Sequence, residues 1–254
     1  MNYTINLVIK IVIATAAAIL FGNGSVVAFN NIPQKWFEDW ELDEECTNGT
    51  GGTERRIIPP AILAADNAGR QRLASTPWKY AFMGMFLVTG VYLAVTNTLQ
   101  YEVASLCVLF AVLEMAIADQ VCKTVPDQLQ LLLAITALGF ITTNENWWEP
   151  LAGAGIGFAV GISVLGLGYL IFRNRTFGGA DIKFFTCIGL VLGRQGALVI
   201  FLLTNCFYAV LSVYKIARGN GSWKDSEALL PSAFAAVLIY ILFLYNVNLA
   251  EIYF

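Results

Sequence analysis

The chain has 254 residues, of which 57% are hydrophobic and only 13% charged, about half the charged share (roughly 25%) of ordinary soluble domains. Net charge is −3, so there is no basic excess to suggest nucleic acid as a partner. Histidine is absent, which excludes serine–histidine and cysteine–histidine triads and any histidine-based metal site. Proton chemistry near neutral pH is left to carboxylates, Lys, Cys or Tyr.

The apolar residues fall in long runs that match the thickness of a bilayer core. In chain order they predict spans at 5–21, 79–97, 101–118, 128–143, 150–172, 182–193, 196–214 and 231–247. The expected fold is all-α: a polytopic membrane protein of about eight transmembrane helices. Residues 1–21 form the first of these. With small residues at Ala14 to Ala18 the run also resembles a signal peptide, but its cleavage would export the basic loop that follows. Residues 22–78 read as a cytoplasmic loop rich in Gly, Pro and charge, acidic over Glu38 to Glu45 and basic at Arg55 and Arg56. It is too poor in apolar residues for a sizeable core. The sequon Asn48-Gly49-Thr50 falls on this side and carries no meaning there. Residues 79–254 form the membrane-embedded part. Within it 182–193 is short and begins beside Lys183, so it is read as tilted, as continuing past Arg194, or as dipping in re-entrantly.

Charge fixes the expected orientation. With the N-terminus outside and eight spans alternating, 13 of the 15 Lys and Arg residues lie in cytoplasmic connections, and only Lys10 and Arg194 fall elsewhere. Positive charge is retained on the cytoplasmic side. The outward link 144–149 is acidic and carries Trp147 and Trp148, residues suited to a membrane interface. The five cysteines (Cys46, Cys107, Cys122, Cys187 and Cys206) form no CxxC pair and read as small hydrophobes, giving neither a zinc site nor a disulfide framework.

Two aspartates stand where apolar spans meet cytoplasmic connections. Asp119 closes the third span in Ile117-Ala118-Asp119, and Asp181 opens the sixth after Phe177-Gly178-Gly179-Ala180. On the expected topology both lie at one face, so two carboxylates from separate helices can meet at one depth. Close carboxyls share a proton, which is the requirement of aspartic proteolysis and needs no metal or cofactor. The small run Gly178-Gly179-Ala180 would let an extended substrate strand approach. Interfacial aspartates also serve simply to end helices, and an ion or proton pathway can use the same pair.

These residues resemble the type IV prepilin peptidases, a family of GxGD aspartic proteases. Members carry an aspartate ending one helix and a proline seven residues on, in Pro-Asn or Pro-Asp; here these are Asp119 and Pro126-Asp127. Their second motif is GxGD, then an apolar residue and lysine; here it reads Gly178-Gly179-Ala180-Asp181-Ile182-Lys183, with alanine in place of the second glycine. Gly24-Ser25 through Asn30, Asn31 and Pro33 resembles the family's N-terminal segment, and Leu230-Pro231-Ser232 its Pro-containing segment before the last helix.

The resemblance implies a prepilin leader peptidase with Asp119 and Asp181 as catalytic dyad, no metal and no cofactor. Gly178, Gly179, Ala180, Lys183, Pro126 and Asp127 are expected to bind substrate or support the dyad. Lys183 would favour ionised Asp181 or bind a substrate acid, or is a snorkelling interfacial lysine. Asp127 is expected to cap the fourth span. The implied partners are a prepilin or pseudopilin substrate, cut on the cytoplasmic side, and the lipid bilayer of the cell (inner, cytoplasmic) membrane. Many bacterial members also N-methylate the new terminus with a zinc-bearing domain in the first loop. With only Cys46 there, the zinc-type methyltransferase is absent, a zinc-free variant staying open. The alternatives are a transporter or channel that uses the aspartates for ions or protons, and an idle assembly factor that holds prepilins uncut.

Overall fold

The computed structural model describes residues 3–33, 36, 63–65, 71–143, 146–172, 178–218 and 228–245. Its helices are α1 (Tyr3–Asn31), α2 (Ser75–Thr96), α3 (Leu99–Cys122), α4 (Asp127–Thr136), α5 (Glu149–Phe172), α6 (Gly179–Ala217) and α7 (Leu230–Ile239). A 3₁₀ stretch, Ala137–Thr143, continues α4, and a π-helical turn, Tyr240–Leu244, continues α7. Among the described residues the one departure from an all-α fold is an antiparallel pair, β1 (Leu63–Ala65) and β2 (Gln71–Leu73).

Five helices, α1, α2, α3, α5 and α6, are long and apolar enough to cross a membrane, and the α4 and α7 segments are shorter apolar helices. Large apolar side chains such as Val12, Leu20, Val88, Leu131, Leu202 and Val210 face outward, as they do where lipid rather than water is the solvent. The chain is a multi-pass membrane protein. Helix α3 is its axis: 83% of its apolar span is buried, against 17–28% in the other four. The Thr98 side chain and Glu102 in the first turn start it, satisfying orphan N–H groups and complementing the helix dipole. It stops where Lys123 turns into the left-handed region (φ 60°), and Pro126 then opens α4.

The first helix runs ten residues past its expected end at residue 21. The Gly- and Asn-containing stretch after Phe21 stays helical because it packs closely on α2, with Gly22 against the backbone of Met83. Further along, Gly90 of α2 lies against Ala14 of α1, so the two helices are antiparallel. At the far end, the Asn30 amide donates to the Leu73 carbonyl (3.0 Å) and accepts from its N–H (2.8 Å), fastening β2 to α1. The first loop is therefore bounded by Asn31 and Ser75, rather than by residues 22 and 78.

The short span expected at 182–193 continues past Arg194, but not as a straight rod. Gly193 has φ 73° and ψ −171°, a conformation that L side chains rarely adopt. Phe185 and Phe201 stand eight residues either side of it, and their rings meet at 5.3 Å. A straight helix would separate them by about 24 Å. Helix α6 is thus a hairpin of two limbs. Its first limb packs against α5 so closely that a side chain at Gly153 would strike the carbonyl of Gly189, and one at Gly157 the carbonyl of Phe185. At the turn, Arg194 pairs with both oxygens of Glu149 (2.9 and 3.0 Å) and lies over the Trp148 ring.

Candidate active site

The connections gather at two ends. One end holds the start of α3, Gly139 against Ala104, the Tyr101–Ile241 hydrogen bond and the Glu149–Arg194 pair. The opposite end holds the last turn of α3 and the first turns of α4, α6 and α7. Asp119 and Asp181 both lie there.

Asp119 sits inside the last turn of α3, which extends to Cys122, one turn beyond the expected span. Its Oδ2 accepts the N–H of Leu230 at 2.9 Å. That donor is available because Leu230 opens α7, where the first N–H groups have no partner within the helix. Asp181 is in the first turn of α6, and its Oδ2 accepts the N–H of Gly178, the N-cap residue, at 3.1 Å. This is the back-reaching half of a capping box. Each carboxyl is therefore held by a backbone donor, and backbone donors neither ionise nor swing away. Asp181 lies within electrostatic reach of Asp119, so the structure brings the two expected residues together.

The supporting residues separate into groups. Gly178 is the N-cap of α6, and nothing crowds the position a side chain would take at Gly179. Ala180 is half-buried against the core, and its carbonyl accepts the amide of Gln130 at 3.2 Å. Pro126, not Asp127, is the N-cap residue of α4. Asp127 stands in the first turn, where its charge suits the helix dipole, and pairs with Lys183 (2.7 and 2.9 Å). Lys183 is thus directed at α4, and both side chains of the pair are more than half exposed.

Three buried polar residues had no place in the sequence reading. Gln130 is only 3% exposed. Glu114 is buried on α3 beside Ser25 of α1, and Glu102 is buried near Lys10, whose ammonium donates to the Ala94 and Asn97 carbonyls. For Glu102 and Glu114 the only signal was an isolated acid within a long apolar run; Gln130 gave none. Among the described residues no group of three or more His, Cys, Asp or Glu side chains could hold a metal ion. Cys46 and residues 37–62 lie outside the described residues.

Residues 103–213 match the type IV leader peptidase family. Both aspartate motifs fall inside this stretch, which bears out the resemblance read from them; the Gly24–Pro33 and Leu230–Ser232 segments fall outside it. The chain is also similar to a prepilin leader peptidase/N-methyltransferase of Xanthomonas campestris pv. campestris, 29% identical over 137 residues. That match covers 52% of this chain and 46% of the relative, so the chain spans less than half the length of the relative it matches. No solved structure matches.

Proposed function

We propose that the chain is a membrane aspartic endopeptidase that removes the leader of type IV prepilin or pseudopilin substrates, with Asp119 and Asp181 as its dyad. One observation carries the reading: two carboxyls from different helices share one end of the bundle within electrostatic reach, each fixed by a backbone N–H. The similarity over residues 103–213 supplies the substrate class.

Two neighbouring carboxyls hold one proton between them. The ionised member takes a proton from water, and the water oxygen adds to the scissile carbonyl carbon. The neutral member gives its proton to the carbonyl oxygen. Collapse of the tetrahedral intermediate breaks the C–N bond, and the amine leaves with a proton returned through the dyad. Leu230 and Gly178 N–H hold the two carboxyls in place meanwhile, an orientation effect that needs no reorganisation during reaction.

In this reading the dyad end faces the cytoplasm, because 13 of 15 Lys and Arg residues lie in connections or helix ends assigned to that side. Eight apolar segments cross, with α6 counted as two limbs. The α4 segment supports this: ten α-helical and seven 3₁₀ residues together span about 29 Å, close to a hydrocarbon core. It runs from Asp127 at the dyad end to Gly139 beside the start of α3. The absent CxxC pairs in the first loop leave N-methyl transfer outside the proposed activity.

Incubating the purified chain with a leader-bearing prepilin in detergent, followed by mass spectrometry, tests the assignment. The expected product begins immediately after the glycine that precedes the apolar helix. An uncut prepilin, or a cut elsewhere, contradicts it.

A further inference from the structure

We propose that Gln130 is a positioning residue for Asp181: its buried amide holds the carbonyl that precedes the catalytic aspartate, and so sets where that carboxyl stands. The inference rests on the peptidase reading and adds a residue that neither motif contains. The first turn of α4 meets the first turn of α6 at two places three residues apart on each helix. Asp127 pairs with Lys183 in solvent, and Gln130 donates to Ala180 inside the fold. Asp181 lies between the two α6 contacts in sequence.

The two contacts differ in kind. The ion pair is more than half exposed on both sides, where charges are screened and long side chains exchange water easily. The amide contact is 97% withdrawn from solvent on the Gln130 side, so its partner cannot be replaced by water without opening the helix interface. The orientation of the amide is fixed as well, because a carbonyl accepts only from the NH₂ end. Its other end, Oε1, is buried with no hydrogen-bond partner. An unmatched acceptor in an apolar interior costs stability, and α4 is otherwise filled with leucine at Leu129, Leu131, Leu132 and Leu133. A leucine at 130 would suit packing better. What the glutamine adds is one directed bond to the residue beside Asp181. Gln128, two positions earlier, is exposed and shows the ordinary use of glutamine on this helix.

The test compares wild type, Gln130→Met and Gln130→Glu as full-length protein, using a purified leader-bearing prepilin as probe. Methionine keeps the volume and removes the donor. The expected result for Gln130→Met is a kcat about tenfold lower, with KM and melting temperature nearly unchanged, the loss of roughly one buried hydrogen bond expressed in the reaction barrier. In Gln130→Glu the substituted acid can donate to Ala180 only when protonated, so its activity relative to wild type should rise as pH falls. Hydrogen exchange over residues 178–187 should quicken in Gln130→Met. Wild-type kcat in Gln130→Met, or a loss that only tracks the amount of folded protein, would overturn the proposal. If the wild type cuts no prepilin, the peptidase reading falls, and unchanged exchange over 178–187 in Gln130→Met overturns the tether as well.

Discussion

Lys183 lies two residues beyond Asp181 and could act on it by charge, yet its ammonium is committed to Asp127 at 2.7 and 2.9 Å. The side chains are 55% and 68% exposed, and exposed pairs of this kind contribute about 0.2–1 kcal/mol. Removing the charge in Lys183→Met should therefore cost about 0.5 kcal/mol of stability. If the pair acts only as a brace, that same amount carried into the barrier lowers kcat about twofold, since a tenfold change needs about 1.4 kcal/mol. Asp127→Asn should behave alike, and the double variant should be no worse than either single one, because the second change finds the pair already broken. Prepilin turnover in detergent, beside thermal unfolding, measures both quantities. A loss of more than about thirtyfold in Lys183→Met with unfolding unchanged, and none in Asp127→Asn, would refute the brace and place the ammonium in the chemistry.

Replacing Gly157 by Val forces a side chain into the carbonyl of Phe185 on α6; overpacking of this sort costs about 1–3 kcal/mol, so the melting temperature and the folded yield in detergent should fall, whereas Gly155→Ala, at an open position within α5, should leave both unchanged or slightly raised. Asn30→Ala removes two hydrogen bonds to Leu73, about 1 kcal/mol each. Limited proteolysis should then cut faster between α1 and α2, with α3 to α7 intact. Ala180→Gly keeps the carbonyl that Gln130 holds and adds only a helix-propensity cost of about 1 kcal/mol, so prepilin cleavage should stay within about threefold of wild type; abolished cleavage would mean that the methyl group itself meets substrate.

Long apolar runs carried most of the fold in the sequence, because α3 and α5 need nothing else to be seen. The misplaced boundaries are those that depend on a neighbour. Gly22-Asn23-Gly24 reads as a helix end, yet the helix continues there because Gly22 admits the backbone of Met83, a contact that only the α1–α2 pair defines. The reversal at Gly193 left two apolar runs separated by Arg194 and Gln195, and the residue types alone did not decide between continuation and re-entry. The π-helical turn after Ile239 left no trace in the pattern.

For the candidate site, Asp119 and Asp181 stood out from other acids at span ends because the motifs around them have fixed spacing. Their shared end followed from counting spans between them. The backbone donors of Leu230 and Gly178 were not legible, since every residue but proline has an N–H and only helix starts leave one unpaired. Gln130 was hidden for the same reason: its partner is a carbonyl, and in Asp127-Gln128-Leu129-Gln130 it looks like a second surface glutamine. Asp127 passed for a cap because it follows Pro126 at a helix start, and its pairing with Lys183 depends on how α4 meets α6.

The most direct test of the aspartic dyad is co-expression with a leader-bearing prepilin, following substrate size for wild type, Asp119→Asn and Asp181→Asn at matched protein levels. Asparagine keeps the shape and the acceptor oxygen for the Leu230 and Gly178 N–H groups while removing the shared proton. The account predicts a shortened prepilin with wild type and full-length prepilin with either variant. Cleavage that survives either substitution contradicts it.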